Sequence, residues 1–321
     1  MKEINRLDEI DILKSIGIIL MIMGHIGFGS VFDYYIHSFH MPMFYFISGF
    51  LYKRSKLSFK DFVKKKVKSL IIPYIVFAIF HLLIWYLLCI ILNNPIDIEY
   101  TINIFSFNTD SLPISGALWF LTSLFFVDIF YYLIDRIDSN FIKSIFIFII
   151  SITGCVIPLY FRLPLAMDTS LMGLGLYYIG KLLKDKINRL NSMSIIFILL
   201  GSVLTFINGY INVRQGIYSN IVLYYIVAIL MTIGLYGISR QIKKIDNVLI
   251  SELKFIGKNS LVYVCLNQLF LLILNKLGEL LVTNIFLLIC YKIIELLVVL
   301  VILHISVYFL NTNRLKWIVG K

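Results

Sequence analysis

The sequence is short of charge. Asp, Glu, Lys and Arg make up only 15% of its 321 residues, while 60% are hydrophobic; a soluble domain carries about a quarter charged residues. That shortage excludes an ordinary water-soluble enzyme. Cysteine is scarce too. Cys89, Cys155, Cys265 and Cys290 all lie inside apolar runs without paired or metal-ligand spacing, which points away from a disulfide framework and leaves packing. Histidine occurs five times and proline six, so each carries information. No internal repeat of the kind that marks many secondary transporters is visible. The polar N-terminus runs straight into an apolar segment without a small-residue cleavage site, so no cleaved leader is expected. Acid is scarcer than base, 18 residues against 29. A basic balance can point to nucleic acid, but these charges gather in short connections between apolar runs, where they set membrane orientation and meet anionic lipid.

What is present is a series of apolar runs. A spanning helix needs about 20 such residues, and segments near 10–29, 35–52, 70–92, 117–134, 141–160, 168–183, 193–210, 217–238, 259–275 and 280–308 meet or approach that length. The expectation is an all-α polytopic membrane bundle of about ten transmembrane helices. It forms a single membrane-embedded domain over 1–321, with no appended extracellular domain. Between Lys53 and Lys68 lie eight Lys or Arg against one Asp, which places that connection in the cytoplasm. Alternation from there predicts a plasma-membrane protein with both termini cytoplasmic. Of the 29 Lys and Arg, only Arg162, Arg214 and Lys276 then fall in outer connections. Within the basic stretch, Leu57, Phe59, Phe62, Val63, Val67 and Leu70 recur at near-helical spacing. That predicts an amphipathic helix lying on the cytoplasmic interface, suited to anionic lipid or to a polyanionic cofactor. The outer loop from Asn93 to Gly116 carries Asp97, Glu99 and Asp110 and no base; it is long enough to cover an outer opening.

Lys14 and His25 are eleven residues apart in the first apolar run. At about 100° per residue they share one face, about 16 Å apart along the axis. Ionisable side chains in a span are costly and mark functional candidates. Asp11, three residues before Lys14, is a natural ion-pair partner, and Lys14 also has the plainer reading of a lysine snorkelling to lipid phosphates. His37 and His40 open the second apolar run, close to where the first ends. Pro42 follows His40 by two residues and cannot donate to residue 38, so the helix is kinked or broken there, a geometry that belongs where backbone is buried or lines a cavity. No acidic residue or cysteine joins the three histidines at ligand spacing, so no metal is expected. His81 and His304 are read as structural.

These residues resemble a known family. Asp11-Ile-Leu-Lys14, then Gly24-His25, then Phe39-His-Met-Pro-Met-Phe-Tyr-Phe-Ile-Ser-Gly-Phe-Leu-Tyr52 look like the opening of the acyltransferase-three family of integral membrane acyltransferases, many of which O-acetylate bacterial surface sugars. Leu118-Trp-Phe-Leu121, Leu163-Pro-Leu-Ala-Met-Asp168 and Phe255-Ile-Gly-Lys-Asn-Ser-Leu261 extend the likeness to its fucose-O-acetylase-like branch. Two positions depart from it: the basic residue of the first motif is often Arg and here is Lys14, and a His common after the Asn-Ser-Leu stretch is replaced by Leu266-Asn267-Gln268. The resemblance implies acetyl-CoA as acyl donor and a sugar or polysaccharide acceptor. Lys14 would meet a CoA phosphate as a point charge, with Lys53 and Arg54 as weaker candidates. His25 would act as general base, its imidazole titrating near neutrality, or carry the acyl group itself. His40 and His37 would orient His25 or bind acceptor. Trp119 could stack on a sugar face, and Arg162 and Asp168 could bond acceptor hydroxyls; each also reads as an interfacial anchor. A transporter or flippase of lipid-linked sugar, and a transferase moving another acyl group such as succinyl, remain open on the residues alone.

Overall fold

The structure is a computed structural model that describes residues 7–105, 114, 116–281 and 284–321. Lys2, Arg6 and Asp110 lie outside the described residues. Fourteen helices account for most of the described chain: α1 (Asp8–Ile26), α2 (Ser30–His37), α3 (Pro42–Phe50), α4 (Phe59–Lys66), α5 (Ile72–Ile91), α6 (Glu99–Phe105), α7 (Trp119–Ile134), α8 (Asn140–Val156), α9 (Met167–Leu183), α10 (Ser194–Asn208), α11 (Ile221–Ile242), α12 (Val248–Lys258), α13 (Ser260–Leu281) and α14 (Ile285–Leu310). Side-chain oxygens of Ser58, Ser139, Asn220, Asn247 and Asn284 accept backbone N–H groups at the starts of α4, α8, α11, α12 and α14. Those caps satisfy donors that a helix leaves open.

Among the described residues, six helical runs are long and apolar enough to cross a membrane: Phe59–Ile91, Asn140–Leu159, Ile187–Asn208, Ile221–Ile242, Ser260–Gly278 and Ile285–Leu310. The break expected at Pro42 is present: α2 stops at His37, residues 38–41 turn, and α3 restarts with Pro42 as its first residue. Two other expectations need correction. The amphipathic segment at 57–70 is not a separate interfacial element. It continues into the next span through a π turn over Val67–Ile71. Pro73 supplies the reason, because its ring would clash with the carbonyl four residues back and one wide turn relieves that clash. Finally, the connection after α11 holds a helix of its own, α12.

Contacts divide the chain into two compact units. The first comprises Met1–Tyr52, Leu176–Val213 and Ile217–Tyr263; the second comprises Lys53–Gly175, Arg214–Gly216 and Val264–Lys321. In the first unit, Ile10, Leu13, Met43, Phe46, Phe50 and Tyr236 share a buried core. Helix α12 packs on α1, pinned by Lys254 to Asp8 at 2.8 Å, while Lys243 at the end of α11 meets Glu9 at 2.7 Å. Those acids sit in the first turn of α1, where the helix dipole also favours negative charge. Gly257 completes the contact, since a Cβ there would overlap the Asp11 carbonyl. Gly49 plays the same part between α3 and α9, where its missing side chain admits the Tyr177 carbonyl.

In the second unit, Phe62 stacks on Tyr132 with ring centroids 4.4 Å apart, and the Tyr132 hydroxyl donates to the Leu57 carbonyl at 2.8 Å. Lys66 meets Asp128 at 2.6 Å, with Asp128 almost fully buried. Asp135 draws Lys143 at 3.5 Å and Arg54 at 3.8 Å.

Candidate active site

The first unit brings the three expected histidines together. His37 ends α2 and His40 sits in the turn that follows, their rings edge to face with centroids 5.2 Å apart. His37 Nδ1 faces the Asp33 carbonyl at 2.5 Å, and His40 Nδ1 faces the Ile36 carbonyl at 2.7 Å. A carbonyl can only accept, so each Nδ1 carries a proton. In the neutral ring the lone pair is then on Nε2. His40 is 6% exposed, and both His37 and His25 lie close enough to act on its charge. His25 itself is half-buried, in the last turn of α1.

The helix break that Pro42 predicts is therefore where the imidazoles meet. Ser38 donates to the Tyr35 carbonyl at 2.7 Å and lies 3.1 Å from Thr205 Oγ1. The Ile36 carbonyl accepts the backbone N–H groups of Phe39 and His40 as well as His40 Nδ1–H, so side-chain bonds reinforce the backbone where the helix stops. Lys14 lies on the His25 face of α1, half-buried, and Asp11 is buried one turn before it. Among the described residues, no group of three His, Cys, Asp or Glu side chains is arranged to hold a metal ion.

The remaining expected residues belong to the second unit. Arg162 Nε donates to Asp168 Oδ2, and Asp168 Oδ1 accepts the Thr169 N–H at 2.9 Å. Asp168 is fully buried while Arg162 is partly open. Both carboxylate oxygens are thus engaged, and the expectation that Asp168 itself bonds acceptor hydroxyls gives way to one in which it orients Arg162. The pair straddles Leu165 and Ala166, with φ of 53° and 58°. Two successive left-handed residues that are not glycine cost about 1–2 kcal/mol each. They are held by Thr169 and Ser170, whose hydroxyls both donate to the Ala166 carbonyl. Strain maintained in this way is typical of functional loops. Trp119 is 4% exposed and packs edge to face on Phe120, so it is a core residue rather than a sugar platform. Arg54 is drawn to Asp135, and Lys53 is exposed beside it.

Several polar features escaped the sequence. Gln268 accepts the N–H of Gly116 ahead of α7, and the Arg214 guanidinium approaches the same backbone. Gln268 therefore holds structure at this end of the bundle. The Lys66–Asp128 pair joins residues 62 positions apart, with no local pattern to announce it. Glu295 lies mid-way along α14, 2% exposed, with Lys292 one turn earlier; only its place in an apolar run signals it.

A family model described as an acyltransferase domain matches residues 7–306. No curated protein and no solved structure matches the chain.

Proposed function

The chain belongs to the acyltransferase-three family and is a membrane acyltransferase; from that premise we propose that it transfers an acetyl group from cytoplasmic acetyl-CoA to a hydroxyl of a cell-surface or lipid-linked sugar. The observation that carries this reading is the meeting of His37 and His40 at the break between α2 and α3, with His25 in the last turn of α1, which packs on α2. In the proposed step, the acceptor hydroxyl attacks the thioester carbonyl while a ring nitrogen of His25 takes its proton. The tetrahedral adduct then expels the CoA thiolate, which recovers that proton from the imidazolium. His40 and His37 hold the pocket's shape and receive the acceptor, and Lys14 meets a CoA phosphate. An acetylated His25 that passes its group to the sugar is the other balanced route.

The proposed setting is the plasma membrane, with both termini cytoplasmic and ten crossings. Six helices of spanning length are joined by α1, the α2–α3 pair, α7 and α9; the last two are 16 and 17 residues long, about 24–26 Å at helical rise.

The test is release of free CoA from acetyl-CoA by the purified protein, with and without cell-surface polysaccharide extract. Wild type should show acceptor-dependent release, and His25→Ala should lose about 10²–10⁴-fold, the usual worth of general acid–base catalysis. Equal release by both proteins would remove His25 from the chemistry. Lys14→Ala should raise the apparent KM for acetyl-CoA; an unchanged KM would end its docking role.

A further inference from the structure

Within the second unit, α5, α13 and the last three turns of α14 enclose an apolar groove of about 600 Å³ that the acetyl-transfer reading leaves unused. Its walls include Phe77, Phe80, Leu269 and Ile305, and Leu315 and Ile318 close one end. The groove is not sealed: Phe80, Ile305 and Phe309 are 44%, 62% and 67% exposed. In a spanning helix that surface faces hydrocarbon. Such a volume is that of a ligand site, and its polar lining side chain, Ser306, already donates its hydroxyl to the Ile302 carbonyl, which leaves little to recognise a sugar or a nucleotide.

The closed end has different chemistry. Leu315 and Ile318 alternate with Arg314, Lys316 and Trp317, all three exposed. Residues 311–321 contain Arg314, Lys316 and Lys321 and no Asp or Glu. Lys316 donates to the neutral side chain of Asn313, and Lys321 to that of Asn311. Gly320 packs on the backbone of Lys68 and Ser69, adding the exposed Lys68 and the basic α4 to the same rim. An aromatic ring and clustered cations at the mouth of a lipid-facing apolar groove match a membrane interface.

We propose that this groove binds one anionic phospholipid, with an acyl chain lying along α5, α13 and α14 and its phosphate at Arg314, Lys316 and Lys68. Charge complementarity selects the occupant. A zwitterionic lipid would fill the groove equally well but gain little from a rim on which cations outnumber acids. The site is separate from the histidine cluster and stands whether or not acetyl-CoA is the donor.

The experiment washes purified full-length protein free of lipid in detergent and offers it phosphatidylglycerol or phosphatidylcholine, counting bound lipid per chain by native mass spectrometry. Lipid carried through a mild purification is identified in parallel. Wild type should retain about one phosphatidylglycerol and markedly less phosphatidylcholine. Ser306→Trp, which places an indole in the groove, should lose both. The exposed double variant Arg314→Glu/Lys316→Glu should still bind lipid but lose its preference for the anion, by about five-fold or more for each charge changed. Equal retention of the two lipids by wild type, or undiminished phosphatidylglycerol in Ser306→Trp, would overturn the proposal. Co-purification of a polyprenyl phosphate instead would reassign the groove to a sugar carrier. Because the readout is bound lipid, failure here is distinct from failure of acetyl transfer.

Discussion

Two prolines, Pro42 and Pro73, meet the same chemical problem and the chain answers it in opposite ways. Each lacks an N–H for the carbonyl four residues before it and crowds that carbonyl with its ring. At Pro73 the helix absorbs the fault: a π turn over Val67–Ile71 widens the ladder, and the run from Phe59 to Ile91 stays continuous. At Pro42 it breaks, and residues 38–41 form a turn between two helices of eight and nine residues. The difference lies in what surrounds each proline. Lys66, at the edge of the π turn, is tied to Asp128, and Phe62 is stacked on Tyr132, so the run is fastened on its N-terminal side. Around Pro42, Ser38 and His40 offer their own hydrogen bonds to the preceding carbonyls and stabilise the break. A break costs regular hydrogen bonds, and here it sets two imidazoles edge to face; a π turn keeps the helical run continuous.

Four substitutions test that contrast. The largest effect is expected from Lys66→Met, which leaves Asp128 buried without its cation and should cost about 3–5 kcal/mol, as breaking a buried pair does. Unfolding in a denaturing detergent reads this out, with recovery expected in Lys66→Met/Asp128→Leu. A Lys66→Met protein as stable as wild type would show that the pair does not fasten the run. Next comes Pro42→Ala, which restores a donor for residue 38 and lets α2 and α3 approach one helix. CoA release should fall about 100-fold, since a shift of about 1 Å in reacting groups has that effect; near-normal activity would detach the break from catalysis. His40→Asn retains a short side-chain donor for the Ile36 carbonyl but has no counterpart of Nε2. Activity should fall about ten-fold, in the range of groups that orient a catalytic residue, while thermal stability holds. If His40→Asn matches wild type and His40→Ala does not, His40 serves the backbone alone. The smallest effect belongs to Pro73→Ala, with activity expected within about three-fold, because the run is already continuous. A loss as great as that of Pro42→Ala would erase the distinction.

The long apolar helices were legible because hydrocarbon thickness imposes a length, and α8, α10, α11, α13 and α14 lie within a few residues of their expected places. The break at Pro42 was legible because proline chemistry is local. The continuity of 59–91 was not: amphipathic and uniformly apolar stretches read as two elements, and nothing in the sequence reveals that a π turn joins them. Helix α12 was missed because it stands by contact with α1, through Gly257 and the Lys254–Asp8 ion pair, between residues far apart in sequence. At the candidate site, stripe geometry singled out Lys14 and His25 on one face of α1, and the proline break singled out His37 and His40, whose rings meet. The pairing of Arg162 with Asp168 was hidden, since six residues of separation bring two side chains together only through the left-handed turn at Leu165 and Ala166.

The contact of Gly257 with Asp11 makes α12 a handle on the first helix. Two backbones that touch with no side chain between them have no cushion, so movement of one is passed to the other, here to the turn that precedes Lys14. Val248 and Leu249, 76% and 72% exposed at the start of α12, are therefore listening posts. A spin label at Val248 should change mobility when acetyl-CoA is added, and a label deaf to it would show the two helices uncoupled. By the same linkage, an antibody fragment that grips the start of α12 would be a brake applied from outside the catalytic pocket.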